Sequence, residues 1–125
     1  MNIDRINHLV LTVKDVEETC AFYRDILGME IEIITARKRA LKFGDQRFTL
    51  HQKGMRFSPE AHIPTPGAID IGFKVKESVE QIKAELENKN IPIEGIVQRP
   101  GVNGKVTSIY FRDPDQNLIE VSSNI

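Results

Sequence analysis

Apolar and polar residues alternate from Ile6 to Val13, and the spacing then lengthens so that Val16, Cys20, Tyr23 and Leu27 form one stripe. The first pattern predicts a strand with one buried face, and the second an amphipathic helix. Asp15 with Glu18 three residues on has the capping-box spacing that satisfies free amides at a helix start. Gly28 stands just past the stripe, where a left-handed residue ends a helix at least cost. Strands are predicted over Glu30 to Thr35, Arg39 to Phe43 and Gln46 to Gln52, the last two separated by the turn-forming Gly44-Asp45.

The same order recurs after an interval from Lys53 to Gly67 that carries Pro59, Pro64 and Pro66. Ala68 to Val75 alternates, Ser78 and Gln81 repeat the capping spacing, and Val79, Ile82 and Leu86 make the helical stripe. Asn90 can end that helix. Strands are predicted near Ile93 to Gln98, Val106 to Arg112 and Leu118 to Ser122, with Asp113-Pro114-Asp115-Gln116-Asn117 as the tight connection between the last two. In that turn Asn117 is expected to take a positive φ. The chain therefore reads as α+β, two βαβββ modules over about 4–52 and 68–123 within one domain, joined by a linker over about 53–67.

Strand periodicity divides each strand into a face that meets a helix and a face that does not. Leu9, Leu11 and Val13 suit the helix, leaving His8, Val10 and Thr12 opposite; Ile71 and Phe73 suit it in the second module, leaving Asp70 and Gly72. Phe48 and Leu50 set Thr49 and His51 on the second face. Ile109, Phe111, Ile119 and Val121 set Ser108, Tyr110, Arg112, Leu118 and Glu120 there. An antiparallel sheet commonly solvates one face, but such a face carries abundant Lys and Glu. This one gathers His, Asp, Tyr and Glu among small residues, a composition suited to a concave site.

Composition narrows the classes. The chain has 125 residues, enough for one compact domain without disulfides or a structural metal. A net charge of −1 with 28% charged residues shows no bias toward nucleic acid or membrane. The single cysteine, Cys20, makes no internal disulfide and is expected to pack beneath the first helix. The start lacks a basic and apolar leader, and no apolar run reaches about 18 residues, so a cytoplasmic location is expected.

The Asn7-His8-Leu9 strand, the run Phe22-Tyr23-Arg24-Asp25-Ile26-Leu27-Gly28-Met29 and the closing Ile109-Tyr110-Phe111-Arg112-Asp113-Pro114-Asp115 with Asn117-Leu118-Ile119-Glu120 resemble the vicinal oxygen chelate (glyoxalase/bleomycin-resistance/dioxygenase) superfamily. Phe43-Gly44-Asp45-Gln46 with Leu50-His51, and Pro64-Thr65-Pro66-Gly67, look like its glyoxalase-domain-containing protein 5 subgroup. The resemblance covers essentially the whole chain. It implies a curved mixed sheet around a polar cavity, a small-molecule substrate and a homodimer. It also implies a divalent metal held by His8, Asp70 and Glu120, with Thr49 at the fourth position.

This chain departs from that pattern in two places. Asp70 stands where histidine is common, and Thr49 is a poor ligand, with His51 two residues further on, about 6.6 Å at strand rise. Imidazole with carboxylates suits manganese, nickel, zinc or iron. The implied activity is a glyoxalase-like lyase or isomerase that chelates adjacent substrate oxygens. In it Glu120 serves as ligand and, when displaced, as base, Tyr110 assists, and Thr49, Ser108 and Arg112 contact substrate. Two other readings stand beside it: a ring-cleaving dioxygenase using His8, His51 and Glu120, and a metal-free small-molecule-binding or resistance protein.

Overall fold

The computed structural model describes residues 1–124, and these form two compact units, the first Met1–Ala68 and the second beginning at Ile69. The first unit contains β1 (Leu9–Val13), α1 (Val16–Leu27), β2 (Glu30–Thr35), β3 (Lys38–Phe43) and β4 (Gln46–Gln52). Its sheet runs β1-β4-β3-β2, with β1 parallel to β4 and the other pairs antiparallel. The second unit repeats the order with β5 (Asp70–Lys74), α2 (Val79–Asn88), β6 (Gly95–Gly101), β7 (Gly104–Arg112) and β8 (Leu118–Ser123). Its sheet runs β5-β8-β7-β6, again with one parallel pair. The fold is thus α+β, two four-stranded mixed sheets, each with one helix.

Helix ends form where the spacing predicts them. The Asp15 carboxylate accepts from the Glu18 amide at 3.1 Å, and Gly28 takes φ +68° after the last turn of α1. Ser78 and Gln81 make the reciprocal capping box of α2, and Asn90 follows its end at φ +58°. In the first unit Leu11, Val13, Val16, Cys20, Tyr23, Leu41, Phe48 and Leu50 are buried. The Tyr23 ring meets Phe48 edge-on at 6.0 Å, a geometry that aligns ring edge with ring face. Cys20 lies buried on α1, as expected, and burial pushes its thiol pKa up.

The two sheets share one register. Val10 opposes Thr49 in the first, and Gly72 opposes Glu120 in the second, so Thr49 and Glu120 hold equivalent places. His8 and Asp70 are equivalent by the same alignment, one residue before Leu9 and Ile71.

Three expectations are corrected. β1 begins at Leu9 and β5 at Asp70, both later than the alternation suggests, because each is an edge strand held by one neighbour. β6 runs on through Pro100 to Gly101; as an edge strand it tolerates a residue without an N–H. In the turn after β7, Gln116 and not Asn117 takes the positive φ, at +70°. Asn117 is instead buried and spends its side chain on hydrogen bonds: its Oδ1 accepts from the Ile69 amide at 2.8 Å and its Nδ2 donates to Asp113 Oδ2 at 2.8 Å.

Candidate functional site

In the first unit, His8 lies exposed just before β1, with its Nδ1 2.8 Å from Asn7 Oδ1. An amide oxygen only accepts, so Nδ1 is the donor and Nε2 is the nitrogen left to bind. Thr49 is buried in the central strand β4, flanked by Val10 of β1 and Ala40 of β3. Its hydroxyl is confined there, which suits a wall better than a ligand. His51 sits near the end of β4, beside Thr12 and Lys38, and its ring stacks on Phe57 with centroids 3.9 Å apart and planes 24° from parallel.

Partial burial, and then the Lys38 charge, hold the His51 imidazole below its ordinary pKa; Glu60 acts the other way, and His8 adds a small further depression. The folded state therefore prefers the neutral ring. Between the depressed folded pKa and the unfolded value of about 6.5, the unfolded chain binds more protons. The stabilisation is complete above that window and is lost as pH falls through it. A titration of the His51 ring protons by NMR is expected to show a midpoint below that of a denatured control. A midpoint at or above the control contradicts the stacked, partly desolvated placement.

In the second unit, Asp70 is exposed at the start of β5. Glu120 lies on β8 between Gly72 and Tyr110, half-buried, on the face turned away from Ile119 and Val121. Its Oε2 accepts from the Ser108 hydroxyl at 2.6 Å and from Arg99 Nη2 at 3.0 Å. The same Arg99 nitrogen lies 2.8 Å from Ser108 Oγ and 3.3 Å from Tyr110 Oη. A carboxylate, two hydroxyls and a guanidinium thus form one cluster. The other carboxylate oxygen, Oε1, faces Gly72, where a Cβ would stand in ordinary contact at 3.7 Å, and the Ser108 and Arg99 bonds engage only Oε2.

Arg99 lies one residue past the predicted end of the sixth strand at Gln98 and is not among the predicted site residues. The signal was present: Val97 opposes Ser108 and Arg99 opposes Val106, so period two carried past Gln98 puts Arg99 on the Ser108 face. Arg112 turns elsewhere. Its Nε donates to Glu94 at 2.5 Å and its Nη1 to the Gln116 carbonyl at 3.2 Å, and the Glu94 bond raises its pKa further. The aspartates of its own turn, Asp113 and Asp115, are both buried, and the Asp113 carboxylate accepts from amides of the loop itself.

The second unit therefore brings Ser108, Tyr110 and Glu120 into contact, while the first holds His8, Thr49 and His51 along β1 and β4. Within each unit, no three His, Cys, Asp or Glu side chains among the described residues gather as metal ligands. By residue type, the His8 imidazole in the first unit and the Asp70 and Glu120 carboxylates in the second are each donors of the kind a divalent cation takes. Anchoring one carboxylate oxygen by hydrogen bonds orients the other, as the outer partners of metal ligands do.

Comparison with known proteins bears on the family and the fold. The model of the Glyoxalase/Bleomycin resistance protein/Dioxygenase superfamily matches residues 5–121. Virulence protein STM3117 of Salmonella typhimurium is 44% identical over 100% of this chain and 88% of its own length. Its crystal structure superposes with a TM-score of 0.90 over all of both chains. Glyoxalase domain-containing protein RDO1 of Mycosarcoma maydis is 41% identical over 98% of this chain and 70% of its own length. Fosfomycin resistance protein FosX of Listeria monocytogenes is 27% identical over 95% of this chain and 89% of its own length. A FosX structure complexed with Mn(II) and sulfate has a TM-score of 0.71, covering 99% of this chain and 93% of that one. With a family model spanning nearly its whole length and relatives above 40% identity, this chain belongs to the glyoxalase/bleomycin resistance protein/dioxygenase superfamily, the vicinal oxygen chelate proteins.

Proposed function

We propose that this protein is a divalent-metal-dependent enzyme of glyoxalase type, a lyase or isomerase acting on a small substrate with two adjacent oxygens, and that it works as a homodimer. His8, Asp70 and Glu120 would hold the metal. The observation that carries the reading is the Glu120 carboxylate, anchored through Oε2 by Ser108 and Arg99 while Oε1, facing Gly72, takes no part in those bonds. When bound, such a cation supplies a Lewis acid that polarises a substrate oxygen. The Mn(II) complex of FosX supports a metal of this kind.

The chain's own groups supply the rest. Ser108 and Arg99 fix the rotamer of Glu120, and the guanidinium offsets part of the charge that two carboxylates bring together. Tyr110, its oxygen 3.3 Å from Arg99, can donate its proton toward a substrate oxygen. Glu120 would also be the group that holds or moves a proton at a substrate carbon. Thr49 and Ser108 form polar wall, and Arg112, tied to Glu94, contributes positive charge near Asp70. The open edges of both sheets, β1 and β2 in one and β5 and β6 in the other, support assembly with a second copy.

The dioxygenase reading needs His51 at the metal, and the stacking of that ring on Phe57 supports a substrate-contacting role instead. One observation favours the metal-free binding protein: Arg99 already gives Glu120 a cation. Elemental analysis of natively purified protein decides between them. About one manganese, nickel, zinc or iron per chain is expected. No metal, as purified or after reconstitution with each of the four, overturns the enzyme reading.

A further inference from the structure

The chain leaving β4 makes a concave feature within the first unit that the proposed metal chemistry does not use. Gln52 opens it with its side chain turned back: Oε1 accepts from the Val16 amide at 3.0 Å, and Nε2 donates to the Lys14 carbonyl. The Lys53 amide donates to Val13 at 2.8 Å, the Met55 amide closes a turn on Gln52 at 3.1 Å, and Gly54 supplies the φ of +88° that this turn requires. The backbone is therefore tied to β1 and to the start of α1 before the loop proceeds. A cavity of about 240 Å³ lies against it, between Thr12 and His51 on one side and the loop on the other. Roughly 300–1,000 Å³ is usual for drug-sized ligands, so this one takes something smaller.

Its walls have two characters. Met55, Phe57 and Pro64 give an apolar surface, and the Phe57 ring is braced by His51. Around it stand Lys53 and Arg56, with Lys38 Nζ over the Phe57 ring at 5.9 Å and Arg37 against the Met55 sulfur at 3.2 Å. Against these four cations stands one carboxylate in the wall, Glu60, and it is paired with Arg56 at 2.8 Å. Lys38 and Lys53 have no ion-pair partner among the described residues. Clefts lined by one sign of charge concentrate ligands of the other.

We propose that this pocket recognises a small organic anion, an acidic group such as a carboxylate carried on an apolar body of about benzoate size. The acidic group meets Lys53 and Lys38, and the apolar body lies on Phe57 and Met55. This deepens and rests on the reading above: Thr12 and His51, paired across β1 and β4, line the pocket, and His8 stands just before the same β1, so the pocket would take the non-reacting end of the same substrate.

The test uses metal-free protein and three probes, benzoate, benzyl alcohol and sodium acetate, titrated by calorimetry with the His51 and Phe57 resonances followed by NMR. Benzoate is expected to bind at least about tenfold more tightly than either of the others, since each lacks one of the two features the walls provide. Lys53→Gln, at an exposed position that leaves the fold undisturbed, is expected to weaken benzoate about fivefold, the measure of one exposed ion pair. Phe57→Ala, or Phe57→Leu if the alanine variant does not fold, is expected to weaken it at least as much. Lys53→Gln is expected to bind manganese as the parent does, so loss of the metal site and loss of the pocket are read separately. Absence of benzoate binding, equal binding of the neutral alcohol, or indifference to Lys53→Gln overturns the proposal.

Discussion

Asp113→Ala is expected to lower the stability of the second unit by about 3–5 kcal/mol, the range for removing one partner from a buried charged network. Asp113 is 2% exposed, and its Oδ1 accepts from the Asp115 and Asn117 amides, each at 2.9 Å. Its Oδ2 accepts from Asn117 Nδ2 at 2.8 Å. Asn117 in turn takes the Ile69 amide, so one carboxylate fixes the β7–β8 turn and, through it, the entry to β5. Removing it strands three buried donors at once. Asp113→Asn keeps the shape and one acceptor but sets an NH₂ against the Asn117 NH₂, and is expected to cost about half as much. Urea unfolding followed by circular dichroism measures both. A loss below about 1 kcal/mol for Asp113→Ala, with the slope on urea unchanged, would show that water replaces the carboxylate in the turn.

The second large effect falls on metal binding. His8→Ala and Glu120→Ala are each expected to weaken it by more than about 100-fold, since partners of ligands alone are worth roughly 10–100-fold. Neither side chain belongs to the helix-packed face: His8 is exposed before β1, and Glu120 points away from Ile119 and Val121. Both variants should therefore fold. Glu120→Ala does release Ser108 and Arg99, but the ion pair is partly solvated, so the stability change should stay near 1 kcal/mol. Calorimetric titration with manganese or nickel, alongside thermal melts, separates the two readouts. Undiminished metal binding in either variant removes that residue from the ligand set.

Much of this architecture was legible because local rules act over a few residues. Alternation, stripe spacing and capping pairs placed β2 and β4 to the residue and the start and end of both helices, and Asp15, Gly28 and Ser78 act as their positions require. The doubling of the βαβββ order also lies in the pattern, and with it the equivalence of Thr49 and Glu120 that the shared register bears out. Among the edge strands β2 was legible, but β1, β5 and β6 were less so. A strand with one neighbour ends where its hydrogen bonds end, and no alternation of side chains reports that, so β1 and β5 are shorter and β6 longer than their patterns.

What only the tertiary structure decided are the pairings between side chains distant along the chain. Arg99 reaches Glu120 across 21 residues, Arg112 chooses Glu94 over its neighbouring aspartates, and Asn117 serves Ile69 rather than its own backbone angle. Phe57, in a loop without periodicity, closes on His51 and makes a pocket where the sequence offers only a proline-rich interval. Secondary structure is set by interactions of short range, which the order of residues records directly. A charged or polar side chain has several acceptors of equal chemistry within its reach along the chain, and only the packing of strands settles which one it meets.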